Sequence, residues 1–215
     1  MSADHQERRD NVTTKDKDTV TPIPLLAASL RLVAVPTAVP CSRIFVQHTL
    51  THWHFEEHTD TAALIMSELV TNAVRAGGII DDRPKSGWIT SEHVIGIQLR
   101  ALESSLYVEV WDRTEAVPVR KNPGPEAVGG RGLLLVEALA ERWDIFRPVV
   151  GGKIVWAELP LGVSIESRPH QEHRPSLVLP PGIRASRGPG ADQARSALLD
   201  QLLTTTITAQ AKSAA

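Results

Sequence analysis

The spacing of apolar residues changes along the chain, and each change marks an element. From Ala62 to Gly78 the residues Leu64, Ile65, Leu69, Val70, Ala73 and Val74 recur close to every 3.6 positions, which predicts an amphipathic helix. Gly77-Gly78 reads as its stop, because glycine accepts a left-handed C-terminal conformation. Upstream, Leu30 to Val35 reads as a strand stopped by Pro36. Pro40 to Trp53 reads as a helix with Ser42 as N-cap. Downstream the period falls to two. Ile95, Ile97 and Leu99 alternate with Gly96, Gln98 and Arg100, the pattern of a strand with one buried face. Glu103-Ser104-Ser105 reads as a hairpin turn. The next strand alternates Leu106, Val108 and Val110 with Tyr107, Glu109 and Trp111 and runs into Asp112.

Between Arg113 and Gly130 the pattern lapses into prolines and glycines with Arg120 and Lys121 among them. Structureless segments of this length inside a domain are usually lids or binding loops. This one closes on Gly129-Gly130-Arg131-Gly132, where a helix with apolar Leu135, Val136, Leu139 and Ala140 begins. Free N–H groups at a helix start suit phosphate, and glycines let it approach the backbone. Strands over Trp143 to Arg147 and Lys153 to Leu159 complete the domain.

The flanks differ from this core. Residues 1–24 are polar and aperiodic and read as a disordered tail. The domain is placed at 25–162, a Pro/Gly-rich linker at 163–190 and a tail at 191–215. In that tail Leu198, Leu199, Leu202 and Leu203 suggest a short amphipathic helix, either a partly helical mobile end or a docking segment for a partner.

Composition narrows the class. The 215 residues carry a net charge of −2, and a pI of about 6.4 gives no footprint for nucleic acid. Cys41 is the sole cysteine, which excludes an internal disulfide framework and fits a reducing cytosol. No apolar run nears the roughly 18 residues of a membrane span, and the charged N-terminus does not read as a secretory signal. A cytoplasmic protein without nucleic-acid or membrane partners is expected.

Glu68 and Asn72 are the first candidates for chemistry. Four residues apart, they lie on one helix face, where a carboxylate can take a proton and an amide oxygen can ligate Mg²⁺. An ordinary polar helix face gives the same spacing. His48, His52, His54 and His58 read as a solvated cluster, because no Glu follows the first His as in the zinc-protease pattern. The order of features is more specific than any one of them: an acid–amide helix, a strand ending in Asp112, then a long loop closing on a glycine-rich helix start.

On these residues the chain resembles the GHKL superfamily of histidine kinase-like ATP-binding domains, in particular the actinobacterial type of anti-sigma-factor serine/threonine kinases. Ser67-Glu68-Leu69-Val70-Thr71-Asn72-Ala73 is similar to that branch's N box, and Val110-Trp111-Asp112-Arg113 to its adenine-binding aspartate motif. Gly129-Gly130-Arg131-Gly132 is similar to its second glycine box, and Gly152 to Leu159 to its closing strand. The resemblance implies an α/β two-layer sandwich, a mixed and mainly antiparallel sheet covered on one face by helices, the Bergerat-type ATP-binding fold. It implies ATP and Mg²⁺ as cofactors, Asn72 as the Mg²⁺ ligand, Glu68 as general base, and Asp112 as acceptor for the adenine amino group. The 113–130 segment would be the ATP lid, with Gly130, Arg131 and Gly132 at the phosphates.

Two departures stand out. Thr114 occupies the place of a family glycine, and Ile154 that of a threonine whose loss removes a polar contact near the nucleotide. The resemblance implies a kinase that phosphorylates a small antagonist protein, with a sigma factor as second partner, and it allows a homodimer. The alternatives are a non-catalytic, nucleotide-gated protein-binding module and an interaction domain without nucleotide. Histidine-kinase activity is not expected, since the segment before residue 25 is too short and polar for a phosphoacceptor helix pair. No P-loop is present, because Gly152-Lys153 is followed by Ile154.

Overall fold

The computed structural model describes residues 24–81, 83–116, 132–165 and 177–178. Strand β1 (Pro24–Val33) leads into helix α1 (Ala38–Trp53) and helix α2 (Thr59–Gly77). The hairpin β2 (Val94–Leu102) and β3 (Ser105–Asp112) follows, then α3 (Gly132–Leu139), β4 (Arg142–Phe146), β5 (Lys153–Pro160) and a short β6 (Leu177–Val178). The strands form one sheet in the order β4-β5-β3-β2-β1-β6. Among the described residues every pairing is antiparallel, where a mixed, mainly antiparallel sheet was expected. The α/β two-layer architecture is the one expected from the sequence.

The helices cover one face. Leu50 and Val46 of α1, Ile65, Met66, Leu69 and Val70 of α2 and Val136 of α3 pack with Ile95, Ile97, Leu99, Val108, Val110 and Val155 of the sheet. Each α2 residue named there is at most 2% exposed. α2 therefore lies along the middle of the sheet, with α1 on one flank and α3 on the other. Burying side chains of this size contributes roughly 1.5–3 kcal/mol each, so the core fixes how α2 is rotated.

Local expectations need correction. Helix α1 begins before Pro40, not after it: Thr37 is the N-cap, without a side-chain cap bond. Proline fits a first helical turn because its missing N–H would be unpaired there. Ser42 is fully buried inside the helix and donates to the Val39 carbonyl at 2.8 Å. β1 starts earlier and stops earlier than its apolar run suggests; Ala34 leaves the strand, and its carbonyl accepts from the Ile79 N–H just beyond α2. Nor does α2 end through a left-handed glycine. Gly77 is its last helical residue, and Gly78 is extended at φ −91° and ψ 177°. Glycine is needed there for closeness: a Cβ on Gly78 would strike the carbonyl oxygens of Ala34 and Val74.

β2 is also buried on both faces, not one. Gln98, Glu109, Trp156 and Asp144 stand opposite one another across four strands, and Arg100, Tyr107, Glu158 and Arg142 form the next row. These rows lie on the face away from the helices. Arg100, fully buried, donates to Glu109 Oε1 at 2.6 Å, and Gln98 donates to Glu109 Oε2 at 2.8 Å. Arg100 also stacks 4.7 Å from the Tyr107 ring. Tyr107 in turn donates to Glu158 at 3.2 Å. Burial, helped by the adjacent Glu158 charge, raises the Tyr107 pKa above its ordinary value. Charged residues at alternate positions signal a wet face in most strands, whereas here they pair with one another.

Candidate active site

Glu68 and Asn72 sit one turn apart on α2, both half-buried. The residues between and around them, Ser67, Leu69, Val70 and Ala73, are buried. The core thus turns the acid–amide pair toward the partly open side. Ser67 donates to the Ala63 carbonyl at 2.6 Å and accepts from Arg43 Nε at 2.7 Å, which ties α1 to α2 beside Glu68. Among the described residues, neither the Glu68 carboxylate nor the Asn72 amide has a hydrogen bond or ion pair.

The start of α3 meets this pair. A Cβ on Gly132 would fall on Glu68 Oε2. Glycine at 132 is what lets the backbone of the helix start come against the carboxylate. Gly130 and Arg131, the other two residues expected there, lie outside the described residues, as do the lid positions from 117 onward.

At the far end of α2 lies a third cluster. Asp112, 4% exposed, ends β3 opposite Lys153, the first residue of β5. Lys153 Nζ donates to Asp112 Oδ1 at 2.7 Å, to Thr114 Oγ1 at 2.5 Å and to the Thr114 carbonyl at 3.0 Å. That uses all three ammonium hydrogens. Thr114 adds two bonds to Asp112 Oδ1, from its N–H at 2.9 Å and its hydroxyl at 2.6 Å. Among the described residues every bond to this carboxylate ends on Oδ1, leaving Oδ2 for a further donor. The Thr114 methyl lies where a Cβ on Gly77 would come, 2.6 Å away. Helix α2 therefore runs from the glycine-rich helix start at Glu68 to the Asp112 cluster at Gly77, with Asn72 between.

Lys153 had no role in the sequence reading. Its signal was available only through register, since β5 pairs with β3 so that Lys153 faces Asp112. The same register explains Ile154, which sits beside Trp111 and Phe146 on the face away from the helices. The polar contacts beside it come from Lys153, which bonds Asp112 and Thr114. Thr114, read as a departure, is a bonding partner of Asp112. Gly152 has φ +74°, and a Cβ there would strike the Asp112 carbonyl oxygen. Gly152→Ala is accordingly expected to destabilise the chain by more than about 1 kcal/mol, measured by urea denaturation.

The segment after Asp112 is anchored as far as it is described. Arg113 donates to the Ser91 carbonyl at 3.0 Å and lies 5.4 Å from the Trp111 ring. Arg147 donates to the Glu115 carbonyl at 3.1 Å. The histidines remain separate: His48, His52 and His54 are exposed, while His54 and His58 approach Glu56 and Glu57 at 3.9 and 3.7 Å. Among the described residues no group of three or more His, Cys, Asp or Glu is placed to hold a metal. A metal ion at Asn72 would therefore draw its other ligands from phosphates and water, as Mg²⁺ commonly does. Among the described residues no helix is long and apolar enough to cross a membrane.

Comparisons with known proteins bear on the family of the chain. No curated protein matches the chain. One similar solved structure is that of the RsbU and RsbW domains of Rv1364c from Mycobacterium tuberculosis, 20% identical with a TM-score of 0.38. The match covers 66% of this chain and 33% of that one, so the chain spans about a third of its length. The family model for the histidine kinase-like ATPase domain matches residues 32–159, more than half of the chain and all of the described site. By that match the chain belongs to the histidine kinase-like ATPase domain family.

Proposed function

We propose that the chain binds Mg·ATP along α2 and transfers the terminal phosphoryl group to a serine or threonine of a small antagonist protein, as an anti-sigma-factor kinase. One observation carries the reading. Along a single helix the groups stand in the order a nucleotide needs: Gly132 against Glu68 for the terminal phosphate, Asn72 for the metal, and Asp112 near Gly77 for the base.

Phosphoryl transfer asks a protein mainly for positioning and charge stabilisation. Asn72 offers a hard oxygen that would hold Mg²⁺, and the metal would supply positive charge against that developing on the phosphates. Glu68 would accept the proton of the attacking hydroxyl. Asp112 Oδ2 would accept the exocyclic amine of adenine, while Lys153 and Thr114 hold Oδ1. Gly130, Arg131 and Gly132 would place backbone amides and a positive charge at the phosphates. The anti-sigma assignment, the actinobacterial type, the sigma-factor partner, a homodimer and a cytoplasmic setting rest on the similarity of the 67–73 and 129–136 motifs to that branch.

The test is calorimetric titration of Mg·ATP, paired with transfer of labelled phosphate to candidate antagonists. Asn72→Ala is expected to abolish magnesium-dependent binding. Glu68→Gln should keep binding and lose transfer. Transfer undiminished in Glu68→Gln would remove the acid from its role. Binding with no transfer to any antagonist would make the chain a nucleotide-gated binding module.

A milder substitution probes the contact between the two helices. Gly132→Ala puts a methyl group where Glu68 Oε2 lies. The carboxylate ends a flexible side chain and can swing aside, so the denaturation midpoint should hold or rise slightly. Transfer should nevertheless fall, because Glu68 is displaced. A parallel loss of stability would mean that the contact is structural only.

A further inference from the structure

The hydrogens around Asp112 can be assigned by elimination. An ammonium only donates, so the Thr114 hydroxyl accepts from Lys153 Nζ at 2.5 Å and turns its own hydrogen to Asp112 Oδ1 at 2.6 Å. The other two Lys153 hydrogens go to Asp112 Oδ1 at 2.7 Å and to the Thr114 carbonyl at 3.0 Å. The Thr114 N–H also ends on Oδ1, at 2.9 Å. Lys153 and Thr114 therefore have no hydrogen left for a ligand. Toward a base, this cluster presents one acceptor, Asp112 Oδ2, and no donor.

We infer that Lys153, together with Thr114, selects a 6-amino over a 6-oxo purine by keeping Asp112 an acceptor alone. The inference rests on the nucleotide binding proposed above and assigns the choice of base to particular residues. Lys153 is a positioning residue in this role, because it acts through Asp112. An exocyclic amine donates to Oδ2. A 6-oxo group in the same place sets a second acceptor against a carboxylate oxygen with no hydrogen between them. Asp112 and Lys153 are both buried, so water does little to screen that repulsion. The N1 hydrogen of a 6-oxo purine reaches Oδ2 only if the base shifts in its seat. The cluster resists such a shift from both sides. The register of β5 on β3 fixes Lys153 opposite Asp112, and the Thr114 methyl lies against Gly77 at the end of α2. A hydrogen bond to a charged group made by one base and not the other is worth roughly 10- to 100-fold in affinity.

Calorimetric titration of the full chain with the magnesium complexes of ATP and ITP tests this directly. The ratio of the two affinities is read on one protein at a time, so a general loss of stability cancels from it. The wild type is expected to hold ATP roughly 10- to 100-fold tighter than ITP. In Lys153→Met the carboxylate is free to turn away from a 6-oxo group, and the ratio should fall by about tenfold or more. Thr114→Val keeps the methyl against Gly77 and the bond from Lys153 to Asp112, so it should stay folded and lose a smaller part of the ratio. It carries the test if Lys153→Met does not fold. A wild type that binds both nucleotides equally would overturn the inference. So would a ratio that stays at its wild-type value in both variants while the two affinities fall in parallel, and nucleotide binding itself would then stand. A wild type that binds neither nucleotide would overturn the nucleotide reading beneath it.

Discussion

Lys153→Met is expected to lower the stability of the chain by about 3–5 kcal/mol, the usual cost of stripping one partner from a buried ion pair. The pair is tight, at 2.7 Å, with side chains 3% and 6% exposed. Methionine approximates the volume of the lysine stem but leaves the Asp112 carboxylate, among the described residues, with Thr114 alone. Against a total stability of roughly 5–15 kcal/mol for a domain, the loss is large enough to read from a urea midpoint. Pairing the change with Asp112→Leu should recover most of it, since no charge is then stranded. A loss below about 1 kcal/mol would mean that the pair behaves as a solvated surface bridge. The same variant also releases the Thr114 carbonyl, so the start of the lid should loosen and nucleotide affinity fall together with stability.

The second large effect lies on the opposite face. Arg100→Met removes the charged partner of Glu109, which is 2% exposed and accepts from the Gln98 amide as well. A loss of about 3–5 kcal/mol is expected here as well. Arg100→Met together with Glu109→Leu should be near neutral or more stable than the wild type, because a buried pair replaced by packed apolar groups loses both charge and desolvation cost. Denaturation of the two single variants and the double closes the cycle. Nucleotide binding serves as the internal control: it should be unchanged in any of these variants that remains folded, because the pair faces away from Glu68 and Asn72. If the double variant is as unstable as the single ones, the ion pair is not what Arg100 contributes.

Much of this site could be read from residue order. The helical period over 62–78 places Glu68 and Asn72 on one face without knowledge of any partner, since a helix repeats itself locally. The period of two, ending at Asp112, likewise needs only the strand. Gly132 could be anticipated as the start of a helix, though not that its missing side chain makes room for the Glu68 carboxylate. That contact joins residues sixty-four positions apart, and it exists because α2 and α3 share one core.

What the chain settles by itself is local: roughly where helices and strands run, where the regular pattern lapses after Asp112, and which acid, amide and glycines are candidates. These follow from side-chain periodicity and backbone freedom, properties of neighbouring residues. Pairing decided the rest. Lys153 became the partner of Asp112, and Ile154 came to the face away from the helices, only through the register of β5 on β3. Arg100 and Glu109 became interior because the register of the β2–β3 hairpin brings their charges within bonding distance, and Glu158 because β5, distant in sequence from β3, lies between Tyr107 and Arg142. Alternating polarity tells water from core only where polar groups lack partners, and whether they have partners depends on strands that the local sequence does not name.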